Sequence, residues 1–169
     1  IYCIDDGCPD DSHSVATELQ EFDPRVRPLR HKTNSGVGGA VITGFQQAIA
    51  DGAEIIVKLD GDGQMDPADI PALIEPIVNG KADYAKGNRF FYLEDLRAMP
   101  KLRLFGNAAL SFFSKLSSGY WNVFDPTNGF VAIHADVAKL LPFDKLAKRF
   151  FFESDMLFRL NTLRAVVVD

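Results

Sequence analysis

Apolar residues along this chain fall into two alternating patterns, short unbroken runs and longer stretches that repeat every three or four positions. The first kind predicts strands and the second amphipathic helices. "IYCID", "VRPLRH", "EIIVKLD", "ADYAKGNRF", "NGFVAIHA" and "AVVVD" read as strands. Between them, "DDSHSVATELQEF" sets Val15, Leu19 and Phe22 on one side of a helix, with Asp and Ser available to cap it. "GVGGAVITGFQQAIADG" turns Val41, Phe45, Ala48 and Ile49 inward and stops at Gly52. Pro67 stands as the first residue of a helix carrying Ile70, Leu73, Ile74 and Ile77. "KLRLFGNAALSFFSKLSSGYW" predicts a long amphipathic helix, and "FFFESDMLFRLNTL" a helix before the closing strand. Strands alternating with helices predict an α/β fold with a mostly parallel sheet flanked by helices.

Composition narrows this little. The 169 residues fit one domain, 1–169, able to bury a real core, with no repeat or low-complexity tract. A start at Ile1 and an end in "AVVVD" predict a fragment of a longer protein, with its first strand missing. The net charge of -5, with no basic cluster, excludes nucleic acid as a general partner. The two cysteines, Cys3 and Cys8, form neither a metal pair nor a disulfide framework, and a reducing, cytoplasmic compartment is the easier expectation. No apolar run reaches the roughly 18 residues that span a bilayer. Phe112, Phe113, Tyr120 and Trp121 on the long helix are most simply core, although they also suit a membrane surface such as the inner face of the plasma membrane.

The candidate chemistry lies at strand ends, where open α/β sheets bind ligands. In "VKLDGDGQMDP", Asp60, Asp62 and Gln64 alternate behind an apolar run, and an extended chain would send all three to the same side. Such convergent oxygens suit Mg²⁺ or Mn²⁺ holding a phosphate. An EF-hand is excluded, since Met65 and Pro71 stand where that loop demands Gly and Glu. Asp5 and Asp6 end the first strand in the same manner, and an ordinary turn accounts for them equally well. "NSGVGGAVITG" fails the dinucleotide fingerprint, because Val41 occupies the third glycine's place; Gly36 still opens a helix that can receive an anion or simply pack on a sheet. Arg89, near Lys86, offers a cation for a phosphate. Glu153 and Asp155 open a helix behind three phenylalanines, either as capping residues or as a proton acceptor with a raised pKa.

Taken in order, "IDDGCPDDS", "NSGVGGAVITGFQQA", "DGDGQMDP", "KGNRF", "DPTNGF" and "FFESD" resemble the family 2 glycosyltransferases of GT-A (Rossmann-like) fold, within them the dolichol-phosphate mannose synthase branch. The resemblance spans nearly the whole chain. It implies a metal-dependent, inverting enzyme of glycan or cell-envelope synthesis that uses a UDP- or GDP-sugar donor. By the same resemblance, Asp5 and Asp6 contact the nucleoside, with Gly36 and Asp60 also at the donor. Asp60, Asp62 and Gln64 then hold the metal. The acceptor is a sugar hydroxyl or a polyprenyl phosphate. Val131 stands where the mannose-synthase branch carries Arg, which tilts the expectation towards a hydroxyl with Asp155 as base and Glu153 as the alternative, whereas Arg89, the third catalytic candidate, suits a phosphate acceptor. A nucleotidyltransferase of similar fold and a noncatalytic sugar-nucleotide-binding module are the rival expectations.

Overall fold

The computed structural model describes residues 1–88, 112, 115–125 and 128–169. These form two compact units, one of residues 1–53 and 142–152, the other of residues 54–141 and 153–169.

The first unit is a parallel pair of strands with two helices. β1 (Tyr2–Asp5) pairs in parallel with β2 (Arg27–Arg30), with Asp5 opposite Arg30. α1 (Ser12–Phe22) forms where the polar–apolar pattern predicts it, but its stripe stays in water: Val15, Leu19 and Phe22 are 47%, 51% and 86% exposed. Its cap also differs, since Asp11 at the N-cap makes no side-chain capping hydrogen bond. α2 (Val37–Ala50) buries Val41, Phe45 and Ala48 as its periodicity requires, with Ile42 added and Ile49 only half-buried.

The second unit carries a four-stranded sheet in the order β3 (Ile55–Lys58), β5 (Val131–His134), β4 (Tyr84–Lys86), β6 (Val167–Val168). β5 runs antiparallel to both neighbours, whereas β4 and β6 are parallel. Apolar runs do not encode strand direction, so this antiparallel insertion into an otherwise α/β arrangement was not legible in the pattern. A single 3₁₀ turn, Pro67–Asp69, leads into α3 (Ile70–Val78), whose Leu73 and Ile77 pack with Ala82, Ala85, Phe130 and Ala132. A short helix, α4 (Ala135–Ala138), follows β5. On α5 (Phe152–Thr162), Met156, Leu157 and Leu160 are fully buried, each contributing roughly 1.5–3 kcal/mol by leaving water. The predicted long helix from Lys101 to Trp121 lies largely outside the described residues. No helix among the described residues is long and apolar enough to cross a membrane.

Candidate active site

The strand register places the chemistry of the second unit. Side chains two apart share a face of a strand, so Ala85 and Ala132 face α3 while Tyr84, Ile133, Lys86 and Val131 face the other way. Val131 is directly opposite Lys58 on β3 and Lys86 on β4, which makes a row of two lysines around one valine. Both cations are sequestered: the Lys58 side chain is 9% exposed and Lys86 is 2% exposed.

Lys58 leads into the acidic segment. β3 ends at Lys58, and residues 61–63 form a turn in which Gly63 has φ +74°, a conformation that side chains with a Cβ avoid. Asp60, Asp62 and Gln64 therefore do not converge by strand alternation, as the sequence predicts. A turn follows the strand, in which Asp62 Oδ1 accepts the Gln64 backbone amide at 3.0 Å. Asp66 closes it by accepting from the Ala68 amide at 2.8 Å, so Pro67 enters the 3₁₀ turn. Asp62 and Gln64 are exposed, while Asp60 is half-buried.

Asp60 is joined to Glu153. Lys58 Nζ lies 2.8 Å from Asp60 Oδ1 and 3.6 Å from Glu153 Oε1 in the first turn of α5. Burial pulls the Lys86 ammonium down to about 8, an effect partly opposed by the carboxylates of Glu153 and Asp125. Burial, with the charge of Glu153, pushes the Tyr84 phenol well up. Lys86 donates to the backbone carbonyl of Asn128, whose own side chain donates to Gly87 O at 2.7 Å and accepts from the Phe130 amide at 2.9 Å. Asn128 thus ties the end of β4 to the start of β5.

Among the catalytic candidates, Glu153 shares Lys58 with Asp60. Asp155, one turn from Arg159 on α5, holds that guanidinium at 3.1 Å through Oδ1. Arg89 lies outside the described residues. The sequence reading passed over Lys58, although a lysine inside the apolar run "EIIVKLD" was its visible signal.

In the first unit, Asp5 ends β1 almost fully buried; its Oδ1 accepts the Cys8 amide at 2.7 Å, and Oδ2 lies 3.2 Å from Arg30 Nε. Asp6 is held by the loop before α2. Its Oδ1 accepts from the Ser35 amide at 2.8 Å and the Ser35 hydroxyl at 2.6 Å, its Oδ2 accepts from the Gly36 amide at 2.8 Å, and His31 Nδ1 lies 2.6 Å from Oδ1. Burial acts to raise its pKa, but these hydrogen bonds outweigh it and leave the carboxyl lowered. The anion at the N-terminus of α2 is therefore the chain's own Asp6, and Gly36, at φ +86°, adopts the turn that allows it.

The residues at β3 suit a hard divalent ion. Among the described residues no group of three or more His, Cys, Asp or Glu side chains is placed to hold a metal by itself. Two carboxylates and an amide in a turn are the sparse, oxygen-only set that Mg²⁺ or Mn²⁺ completes with water and substrate phosphates. The Asp60 carboxylate packs closely on the chain: a Cβ on Gly129 would stand 2.3 Å from Asp60 Oδ2.

Residues 1–141 match the family model described as glycosyl transferase family 2. The UDP-N-acetylglucosamine–dolichyl-phosphate N-acetylglucosaminyltransferase of Methanococcus voltae is 35% identical over 89% of this chain and 64% of its own length. The undecaprenyl-phosphate mannosyltransferase of Micrococcus luteus is 30% identical over 100% of this chain and 69% of its own. Among solved structures, glucosyl-3-phosphoglycerate synthase from Mycobacterium tuberculosis, in complex with Mn²⁺, UDP-glucose and phosphoglyceric acid, superposes with a TM-score of 0.67 at 19% identity, over 99% of this chain and 56% of that one. At that identity the likeness shows the shared GT-A fold. This chain spans under two thirds of the length of the Methanococcus protein.

Proposed function

The chain belongs to glycosyl transferase family 2, and from that premise we propose that it is the catalytic domain of an enzyme moving a sugar from a UDP- or GDP-sugar onto a polyprenyl phosphate. The observation that carries the reading is the acidic turn after β3, with Asp60 held by Lys58 in one charged set with Glu153. Both relatives named above are called transferases to a polyprenyl phosphate, dolichyl in one and undecaprenyl in the other, which supports that acceptor class. Family membership speaks against a nucleotidyltransferase. The retained acidic turn speaks against a noncatalytic module.

The roles follow from the chemistry of the groups. Asp60, Asp62 and Gln64 would hold Mg²⁺ or Mn²⁺. Such an ion, when bound, neutralises the diphosphate and stabilises the departing nucleoside diphosphate. Asp5 and Asp6, with Gly36, would fix the loops that take the nucleoside. The acceptor's phosphate oxygen attacks the anomeric carbon in line; the new carbon–oxygen bond forms as the bond to the donor diphosphate breaks, and the configuration inverts. An ionised phosphate needs no proton acceptor, which agrees with the engagement of Glu153 and Asp155 by Lys58 and Arg159. A polyprenyl acceptor is a membrane lipid, so the reaction belongs at the cytoplasmic face of a membrane.

A second reading keeps the hydroxyl acceptor, with Asp155 as base and Glu153 as the alternative. It is favoured by Val131 and by the position of Asp155 in the first turn of α5. Calorimetry of the full-length protein with UDP and GDP tests the donor side. Nucleotide binding should tighten with Mn²⁺, and Asp62→Asn should remove most of the gain; equal binding without metal would overturn the assignment of the acidic turn.

A further inference from the structure

We propose that Lys58 is a positioning residue for the Asp60 carboxylate: its ammonium grips Oδ1, ties Asp60 to Glu153, and is set with Asp60 against the backbone of Gly129. The inference rests on the reading of Asp60 as a metal ligand. It adds a role for a residue that does not itself touch metal or donor.

A cation beside a cation-binding carboxylate looks unfavourable, and the geometry says why it is kept. A carboxylate has two equivalent oxygens and rotates readily, so a ligand on a turn needs something to choose its orientation. Lys58 Nζ sits 2.8 Å from Oδ1 of Asp60, close enough for a charge-assisted hydrogen bond. Its other carboxylate, Glu153 Oε1, is 3.6 Å away on α5. The Lys58 side chain is 9% exposed, so it is held in the fold and not waving in solvent. Lys58, Asp60 and Glu153 together carry one net negative charge. Second-sphere hydrogen bonds of this kind orient metal ligands and tune their affinity.

Gly129 supplies an independent observation. A Cβ there would stand 2.2 Å from Lys58 Nζ and 2.3 Å from Asp60 Oδ2, nearer than real Cβ atoms approach any neighbour. The backbone of Gly129 is not in the left-handed region, so conformation does not demand glycine at this position. Space does. The glycine preceding Phe130 is the wall against which the Lys58–Asp60 pair is set.

Positioning and simple charge make opposite predictions for metal affinity. Removing Lys58 deletes a positive charge near the ion, which by Coulomb attraction alone would tighten binding. Losing the grip on Asp60 would loosen it. The test uses the full-length protein with Mn²⁺ affinity read by electron paramagnetic resonance in the presence of UDP and, separately, GDP. Lys58→Met should weaken Mn²⁺ binding about tenfold or more, leave metal-free nucleotide affinity within about twofold, and lower kcat by more than it raises the donor KM. Gly129→Ala disturbs the same pair without changing any charge. It should weaken Mn²⁺ in the same direction, which keeps the test decisive if Lys58→Met does not fold. Equal or tighter Mn²⁺ binding in either folded variant overturns the positioning role while leaving Asp60 as a ligand. A wild-type protein whose nucleotide complex takes up no Mn²⁺ overturns the metal reading itself, and this inference with it.

Discussion

The backbone amide of Gly36 donates to Asp6 Oδ2 at 2.8 Å, so this chain answers the positive end of α2 with a carboxylate of its own. Ser35 and His31 share that carboxylate, which makes Asp6 the pin of the loop between β2 and α2.

Asp6→Asn should therefore destabilise the fold by about 2 kcal/mol at neutral pH, the scale of losing charge-assisted hydrogen bonds at a half-buried acceptor. The pH dependence has a definite sign. The Asp6 carboxyl is lowered from 3.8 in the folded chain, so its contribution is present above that value and is lost as pH falls through the folded pKa. Denaturant unfolding from pH 7 to pH 2 should show the gap between wild type and Asp6→Asn closing on the acid side. A constant gap would refute it.

Two glycines of α2 should respond to alanine with opposite signs. A Cβ on Gly38 would stand 2.5 Å from the Ala147 carbonyl oxygen and 2.7 Å from the Phe152 ring, whereas one on Gly44 meets nothing nearer than Ile4 Cγ1 at 3.6 Å. Gly38→Ala should cost about 1–3 kcal/mol through overpacking. Gly44→Ala should stabilise by about 0.5–1 kcal/mol, because it removes a flexible residue from a helix interior. Thermal unfolding of both variants decides it, and a Gly38→Ala protein as stable as wild type would contradict the packing described.

How much of this was legible in the sequence depends on which force set each feature. The helices and strands came from period, and where burial followed period, as at Val41, Phe45, Leu73 and Ile77, the reading holds. Period also put Val15, Leu19 and Phe22 on one face of α1, yet says nothing of whether a partner covers that face; all three are exposed. The acidic turn was visible as composition, but its shape is set by Gly63 and the Asp62–Gln64 hydrogen bond and not by strand alternation. Lys58 and Lys86 became neighbours of Val131 only through an antiparallel register that no local pattern carries.

The exposure of the α1 stripe has its own consequence. Phe22→Ser should change stability by less than about 0.5 kcal/mol, since an 86% exposed side chain gives up little on truncation. A loss of about 2 kcal/mol or more in urea unfolding would mean that Phe22 is covered in solution.

Lys86 gives a second pH signature on the alkaline side. Its ammonium is pulled down to about 8 in the fold, from 10.5, chiefly by burial. Between those values the unfolded chain holds the proton that the folded chain has released, so the Lys86 contribution to stability rises with pH across that window. Measured from pH 7.5 to pH 10.5, wild type should gain stability relative to Lys86→Met. Parallel curves would show that Lys86 titrates alike in both states.

Sugar transfer to a lipid phosphate is tested most directly by turnover of the full-length protein. With Mn²⁺ present, UDP-N-acetylglucosamine and GDP-mannose would each be offered with a polyprenyl phosphate, and in parallel with the uncharged polyprenol, and the products read by mass spectrometry. The account predicts a glycosyl polyprenyl phosphate with an equimolar nucleoside diphosphate from one of the two donors, and roughly 10²-fold or greater loss in Asp60→Asn. Asp155→Asn should retain most of the turnover. Transfer only to a hydroxyl acceptor, abolished by Asp155→Asn, would contradict the phosphate acceptor and assign Asp155 the role of base.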